Sequence, residues 1–290
     1  MKKKYTRHPV FIKVPGSVGG FCVGSPLNGR VTKAEPIRRR SALRLGAGLT
    51  AALATGCAAD EHPAATPAPK AHPARPAESA RAAPAPRRFP GQPAQLTHGP
   101  RDRDRVALTF HGQGDPKIAD AVLKEAEKAG AHVTVLAVGT WLDQHPDMAR
   151  RILDAGHDLG NHTLHHQGIN TMSEADATAE ITGCADRLRR LTGSIGTWFR
   201  PSRTPTATPL VVRLAQRAGY PHVLSYDVDS LDFTSPGADA VVENVTSAVR
   251  PGSVVSLHFG YADTVAALPP LLDHLSRRGL AAVTCTELLT

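Results

Sequence analysis

Short apolar segments alternate with longer amphipathic segments through residues 105–285, and this alternation constrains the fold more than any other feature of the chain. The apolar segments predict about seven β-strands, and the amphipathic segments predict the helices that connect them. Strands that alternate with helices are typical of parallel sheets, so we expect an α/β fold. A doubly wound sheet and a barrel both fit, but no Gly-x-Gly-x-x-Gly motif follows the first strand, which disfavours a dinucleotide-binding sheet.

Local signals bound the predicted elements. Two helices end at Gly130 and Gly156, and Ser173 with Asp176 three residues later predicts a capping box that starts a long helix. The predicted strands cover residues 105–110, 132–138, 197–200, 222–226, 253–258 and 281–285, with a further short strand before Gly160. The predicted helices cover residues 117–129, 146–155, 173–193, 209–218, 238–249 and 264–278.

Positive charge is concentrated in the N-terminal third of the chain. Residues 1–100 contain 16 basic and 4 acidic residues, a net charge of +12, whereas residues 101–290 contain 18 and 22, a net charge of −4. The net charge of +8 of the whole chain therefore belongs to the N-terminal segment. Because a nucleic-acid-binding domain needs a basic surface of its own, we expect no nucleic-acid partner.

Residues 1–57 resemble a bacterial export signal. Three arginines, the last two in a twin-arginine-like context, precede the apolar run 45–54, which is shorter than the about 20 residues that cross a bilayer. The run ends at Ala54-Thr55-Gly56-Cys57, which resembles a lipoprotein box and predicts a lipid anchor at Cys57 as the only membrane attachment. A plain cleaved signal is the alternative. The signal is complete from about residue 31, which places the true start near there, and we expect an extracytoplasmic protein.

The remainder of the chain divides into two parts. Residues 58–100 are rich in Ala and Pro, a composition that cannot bury a core and predicts a disordered tether. Residues 101–290 form the predicted α/β domain, which we expect to be monomeric.

The segment Gly160-Asn161-His162-Thr163-Leu164-His165-His166 places three imidazoles and a hydroxyl within seven residues. Neutral imidazole is the commonest protein ligand for zinc, and His162 and His166 are spaced to reach one ion. The Gly-Asn entry and Thr163 favour a turn between a strand and a helix. We therefore predict a metal site in this segment.

Polar residues recur at the C-terminal ends of the predicted strands. In an α/β barrel, active sites are built at this face. The placement therefore favours a distorted (β/α) barrel of about seven parallel strands, with the functional site at this end. The residues are His111, His162, Arg200, Asp229, Asp232 and His258.

In order and spacing, five segments of residues 104–289 resemble motifs of the polysaccharide deacetylases, the NodB-type homology domain of carbohydrate esterase family 4. The family's first motif, Thr-Phe-Asp-Asp-Gly, falls at Thr109, and its second, His-(Ser/Thr)-x-x-His, falls at residues 162–166. The third to fifth are matched by Phe199-Arg200-Pro201, Val228-Asp229-Ser230-Leu231-Asp232-Phe233 and Ser256-Leu257-His258.

The resemblance implies metal-assisted hydrolysis of an N-acetyl group. In this family an ion held by one Asp and two His polarises the carbonyl and activates water. The resemblance makes His162 and His166 the imidazole ligands of zinc, or of cobalt in its place, and makes His258 the acid for the departing amine. By the same resemblance Asp232 orients His258, Arg200 braces the first-motif residue, and Phe233 replaces the Trp that walls the sugar groove.

The first motif departs from the family, because His111-Gly112-Gln113-Gly114-Asp115 stands where the Asp-Asp pair belongs. Three outcomes are open. Asp115 reaches the metal and His111 is the base; or His111 joins His162 and His166 in a three-His site; or the domain binds glycan without chemistry. Asp115 could also cap the helix that follows it. We expect a hydrolase that removes N-acetyl groups from peptidoglycan or a chitin-like glycan, with a non-catalytic glycan-binding domain as the alternative.

Overall fold

The computed structural model describes residues 83–290. The predicted export signal, the lipoprotein box at Cys57 and residues 58–82 of the predicted tether lie outside the described residues. Among residues 83–290, no helix combines the length and the apolar character that crossing a membrane requires. Cys184 and Cys285 are buried and carry free thiols.

Eight strands and eight α-helices make up the described region. The strands are β1 Gln95–Leu96, β2 Arg105–Gly112, β3 Thr134–Ala137, β4 Asp158–Asn161, β5 Val223–Leu224, β6 Val228–Asp229, β7 Val254–His258 and β8 Ala281–Val283. The helices are α1 Pro116–Lys128, α2 Gly139–Gln144, α3 Asp147–Asp154, α4 Glu174–Thr192, α5 Pro209–Arg217, α6 Ala238–Thr246, α7 Ala262–Arg277 and α8 Cys285–Leu288. Two short 3₁₀ helices cover Ile169–Thr171 and Asp232–Thr234.

The paired strands are parallel, which confirms the predicted α/β class. The main sheet has the order β4-β3-β2-β7-β6, and β8 pairs with the first half of β2. Parallel bridges through Phe199 continue the ladder from β4 to β5, which pairs with β1. The ladder of residues 83–290 does not close, because the strand pairing stops between β5 and β6.

Successive side chains of β2 point to opposite faces of the sheet, so they belong to two different hydrophobic clusters. The same alternation determines the face on which His111 lies. Val106, Leu108 and Phe110 face α1 and α7 in the main hydrophobic core. The intervening residues face the other way, where Ala107 packs with Trp198. Because successive side chains of a strand point to opposite faces, His111 follows Ala107 and Thr109 on that inner side.

Helix ends agree with their sequence signals. Ser173 caps α4 by accepting from the Asp176 N–H, and α4 ends at Gly193 with φ 78°. The reciprocal half of the predicted capping box is replaced, because the Ser173 hydroxyl donates to the Asp176 carboxylate at 2.7 Å. The predicted strand 197–200 is reduced to the bridges at Phe199. Helices α2 and α8 and strands β1 and β6 were not predicted.

Residues 83–99, which the sequence assigns to the end of the tether, pack against the α/β domain. The ring of Phe89 stacks on Trp198 with centroids 5.4 Å apart, and the backbone N–H of Phe89 donates to Nε2 of His222 at 3.0 Å. Strand β1 pairs with β5, and Leu96 is buried. Phe89 and Leu96 give little signal in the average composition of this Ala/Pro-rich segment.

Candidate active site

Three imidazoles meet at the C-terminal edge of the sheet. His111 lies near the end of β2, His162 directly follows β4, and His166 lies four residues further along the chain. Each offers a nitrogen, and these nitrogens all lie within 4.8 Å of one another. We call His111, His162 and His166 the imidazole cluster; it is the one group of three or more potential metal ligands within residues 83–290.

The hydrogen bonding of the cluster leaves two nitrogens free for a ligand. Nδ1 of His162 lies 3.1 Å from the Arg200 carbonyl oxygen, which fixes a proton there and leaves a lone pair on Nε2. The Nε2 atoms of His162 and His111 are both buried without a hydrogen-bond partner among the described residues. Buried polar atoms are rarely left unpaired, so two unpaired nitrogens in a cluster whose ligand atoms lie within 4.8 Å of one another fit a divalent cation.

Burial keeps these imidazoles neutral. It lowers the pKa of His111 and His162 well below the ordinary value, and the neighbouring imidazoles add to the effect. For His166, burial first and the charge of Arg203 second lower the pKa to about 4. A neutral imidazole is the form that binds zinc, so the electrostatics of the cluster suit a metal.

The structure places the Asp115 carboxylate outside the imidazole cluster, at the start of α1. Asp115 is the N-cap of α1, and its Oδ1 accepts from the Lys117 N–H at 2.9 Å. The preceding loop is held by Trp141, whose Nε1 donates to the Gly114 carbonyl at 2.8 Å. Gly114 has φ 98°, and a Cβ there would lie 2.7 Å from the Cα of Gly260. This loop therefore delivers the Asp115 carboxylate to helix α1.

Gly112 occupies the position of the second carboxylate in the resembled motif. A Cβ at this position would lie 3.0 Å from Val135 and 3.1 Å from the Cα of Ala137. The space for a longer side chain is thus filled by β3. Of residues 111–115, His111 alone contributes to the cluster.

His258 and Asp232 form a buried pair beside the cluster. Nδ1 of His258 lies 2.7 Å from one carboxylate oxygen of Asp232, which is fully buried. The other oxygen accepts from the His258 N–H at 2.8 Å and from the Thr264 hydroxyl at 2.7 Å. The carboxylate therefore fixes the ring, and the His258 and His111 ring centroids lie 4.3 Å apart.

Arg200 contacts the first-motif segment at Thr109, and within residues 83–290 its hydrogen bonds do not include His111. Its fully buried guanidinium donates to the Thr109 hydroxyl at 2.8 Å and to the carbonyls of Leu224 and Ser225 at 3.1 Å each. Burial lowers its pKa to about 10. Arg200 forms no ion pair within residues 83–290, and it ties β2 to the segment after β5.

A groove of about 590 Å³ gives access to the site. Phe233 is 45% exposed at its rim and contacts His258 edge-on, with ring centroids 5.3 Å apart. A larger cavity of 750 Å³ lies between α1, α7 and β8, away from the cluster. The groove is lined by His111, Gln113, His166, Arg203, Thr204, Pro205, Tyr226, Asp229, Phe233, His258 and Tyr261.

Some contacts that support the site were missed in the sequence. Glu180 of α4 is buried and holds His165, and the Thr163 and Ser202 hydroxyls lie 3.0 Å apart. A glutamate in an amphipathic helix ordinarily faces solvent, so the sequence does not indicate that Glu180 is buried beside the site. His165 itself is half exposed and is not in the cluster.

The fold and site define an α/β protein with an imidazole-lined candidate metal centre at the carboxyl edge of its sheet. The polysaccharide deacetylase family model matches residues 98–223. A peptidoglycan-N-acetylglucosamine deacetylase of Bacillus cereus is 30% identical over 194 residues, which cover 66% of this chain and 90% of that protein. A chitooligosaccharide deacetylase of Bradyrhizobium is 29% identical and covers 60% of this chain and 85% of that one. The chain belongs to the polysaccharide deacetylase family.

Solved structures show the same fold. A family 4 carbohydrate esterase from Streptomyces lividans, in complex with acetate, is 26% identical with a TM-score of 0.57 and covers 61% of this chain and 91% of that one. A pseudoenzyme of the same family from Bacillus anthracis is 24% identical with a TM-score of 0.65 and covers 69% of this chain and 70% of that one. The family's fold therefore occurs both in an esterase and in a pseudoenzyme.

Proposed function

We propose that this protein is a metal-dependent hydrolase that removes N-acetyl groups from an amino-sugar glycan. The observation that carries the proposal is the imidazole cluster, whose two unpaired Nε2 atoms lie beside the Asp232–His258 pair. The names of the relatives make peptidoglycan and chitin-like oligosaccharides the substrate class to test.

The imidazole cluster is the proposed ligand set. Three neutral imidazoles fit zinc, with cobalt as a substitute, better than magnesium or calcium, which prefer oxygen ligands. When bound, such an ion polarises a carbonyl and lowers the pKa of a bound water. Of the outcomes open from the sequence, we thus favour the three-His site over one that uses Asp115.

His258 is the proposed proton-transfer residue. Because Asp232 accepts the Nδ1 proton, Nε2 is the nitrogen that exchanges a proton with the reacting atoms. His111 belongs to the cluster, so it does not act as a separate base. Asp229 is the one carboxylate among the groove-lining residues, and it accepts from the Leu231 N–H at 3.1 Å. We therefore assign both proton removal and proton return to His258.

Arg200 and Phe233 have supporting roles in this proposal. Arg200 fixes the strand ends from which His111 and His162 project, through Thr109 on one side and its own carbonyl on the other. The exposed ring of Phe233 offers a face against which a sugar can pack.

The location and assembly of the protein are part of the same proposal. An extracytoplasmic protein, held to the membrane by a lipid at Cys57 and carried on a tether that ends before residue 83, would place the groove near cell-wall glycan. The catalytic domain is proposed to act as a monomer. N-terminal mapping of the mature protein, which we expect to begin at a lipid-modified Cys57, tests the anchor.

A glycan-binding domain without chemistry is the second candidate, and one observation favours it. The positions of both first-motif carboxylates are filled by His111 and Gly112, and removal of a general base alone costs about 10²–10⁴ in rate. Acetate release from N-acetylglucosamine oligomers and peptidoglycan by the zinc-loaded full chain distinguishes the two. Release that depends on His258 supports the hydrolase, whereas tight glycan binding without acetate supports the second candidate.

A further inference from the structure

The loop over residues 162–166 carries two of the three clustered imidazoles in a backbone conformation that most residues avoid. Thr163 has φ 69° and His166 has φ 56°. Left-handed backbone is unfavourable for any residue with a Cβ and most of all for a β-branched one. Contacts from the surrounding fold must therefore hold this loop in place.

Two helices supply these contacts. The Gly139 and Thr140 N–H groups of α2 donate to the Thr163 and Leu164 carbonyls, both at 2.9 Å. The side chain of Leu164 lies against Gly183 of α4, where a Cβ would approach it to 2.7 Å. These contacts fix the first half of the loop, up to Leu164.

The second half of the loop is held by Glu180, one turn before Gly183 on α4. One carboxylate oxygen of Glu180 accepts from the His165 N–H at 2.8 Å, and the other lies 2.6 Å from the His165 Nδ1. Glu180 is only 7% exposed, whereas the His165 side chain is about half exposed. The carboxylate thus grips both the backbone and the side chain of the residue that directly precedes His166.

The burial of Glu180 has a cost that its contacts must offset. A carboxylate withdrawn from water is unfavourable unless it is hydrogen-bonded, and within residues 83–290 both hydrogen bonds of Glu180 go to His165. The amphipathic pattern of α4 offers many exposed positions where a glutamate would be free of this cost. The effect of these two hydrogen bonds is therefore to fix the loop at His165.

We propose that Glu180 is a positioning residue for the metal site, which holds His166 in the imidazole cluster through its two bonds to His165. The inference rests on the proposed function, since it assumes that the cluster binds a metal. Glu180 lies outside the five segments that resemble family motifs, and its two hydrogen bonds within residues 83–290 go to His165 and not to a clustered imidazole. Glu180 thus orients His166 indirectly, because its hydrogen-bond partner His165 directly precedes His166 in the chain.

Zinc affinity of the full chain, measured by competition with a chromophoric chelator, tests the proposal. Glu180→Ala removes both acceptors and should lower zinc affinity about 10–100-fold, as the loss of supporting hydrogen bonds does at other sites. Glu180→Gln keeps one acceptor and should fall between Ala and wild type. Glu174→Gln is the matched control, because it changes the same side chain on the same helix at an exposed ion pair with Arg217; its zinc affinity should equal that of wild type.

The absorption spectrum of the cobalt-loaded protein separates positioning from general stability. A displaced His166 should shift the visible bands in Glu180→Ala, whereas a purely structural loss would lower the melting temperature and leave the bands unchanged. If Glu180→Ala does not fold, Glu180→Gln carries the test. Wild-type zinc affinity and spectrum in both variants would overturn the inference alone. No zinc binding by the wild type would overturn both the inference and the proposed function.

Discussion

The ring centroids of His111 and His162 lie 4.3 Å apart, and the Nε2 atom of each is buried without a hydrogen-bond partner in the described part of the chain. One histidine comes from β2 and the other from the end of β4, with β3 between them in the sheet. Two unpaired buried nitrogens cost free energy in the absence of a ligand. Their proximity is the observation behind the proposed metal site, in which His111 would stand in place of a carboxylate.

Removal of an imidazole from the cluster should abolish stoichiometric metal binding, whereas removal of Asp115 should not. We expect His162→Ala and His166→Ala to bind no stoichiometric zinc, measured by elemental analysis after gel filtration. Asp115→Ala should keep its zinc and lose about 1 kcal/mol of unfolding free energy, because it removes the N-cap of α1. If Asp115→Ala loses its zinc but keeps wild-type stability, Asp115 is a metal ligand and this account of the site is contradicted.

Asp232→Asn should lower the rate of acetate release by about 10²–10⁴ while leaving zinc content unchanged. The amide of Asn donates a hydrogen bond where the carboxylate accepts one, so the proton of His258 moves from Nδ1 to Nε2. Thr264→Val removes one donor to the same carboxylate and should have a smaller effect. Equal rates for wild type and Asp232→Asn would show that the orientation of His258 is irrelevant to the reaction.

The metal-free protein should lose stability as the pH falls from about 6.5 towards 4. Burial lowers the pKa of His157 to about 4, whereas an unfolded His titrates near 6.5, so the unfolded state binds more protons throughout this window. The expected loss is on the order of 2 kcal/mol from His157, measured by urea unfolding at pH 7 and pH 4.5. His157→Asn keeps an acceptor for the Val133 N–H and should have a shallower pH dependence. Equal slopes in both proteins would contradict this assignment.

Phe89→Ala should destabilise the domain by about 3 kcal/mol, because it removes a buried ring that stacks on Trp198. Urea unfolding measures the loss, and Arg88→Ala, at the exposed neighbouring position, serves as the control. Stability equal to wild type would mean that residues 83–99 are part of the tether after all.

Sequence signals were sufficient where the physical cause is local. The cap at Ser173, the glycine after α4 and the alternation in β2 act within a few residues, and the structure has these elements near their predicted bounds. The two histidines of the 162–166 segment were likewise visible as neighbours in the chain. Order along the chain therefore predicted the α/β class and the edge of the sheet where the imidazoles meet.

Contacts between distant residues decided what the sequence left open. Asp115 could cap a helix or bind a metal, and the choice depends on Trp141 and on Gly260, which lie far along the chain from it. The proposed role of Glu180 depends on its hydrogen bond to His165, fifteen residues earlier in the chain. Composition gives no sign that residues 83–99 pack on the domain, because the two buried side chains Phe89 and Leu96 are a small part of an Ala/Pro-rich segment.

The anomalous scattering of zinc in crystals of the loaded protein tests the three-imidazole site most directly. We predict one zinc ion with a nitrogen of each of His111, His162 and His166 at about 2.1 Å, and with Asp115 still capping α1. A zinc ion that is bound by Asp115 while His111 stands apart, or no zinc at the cluster, would contradict the account.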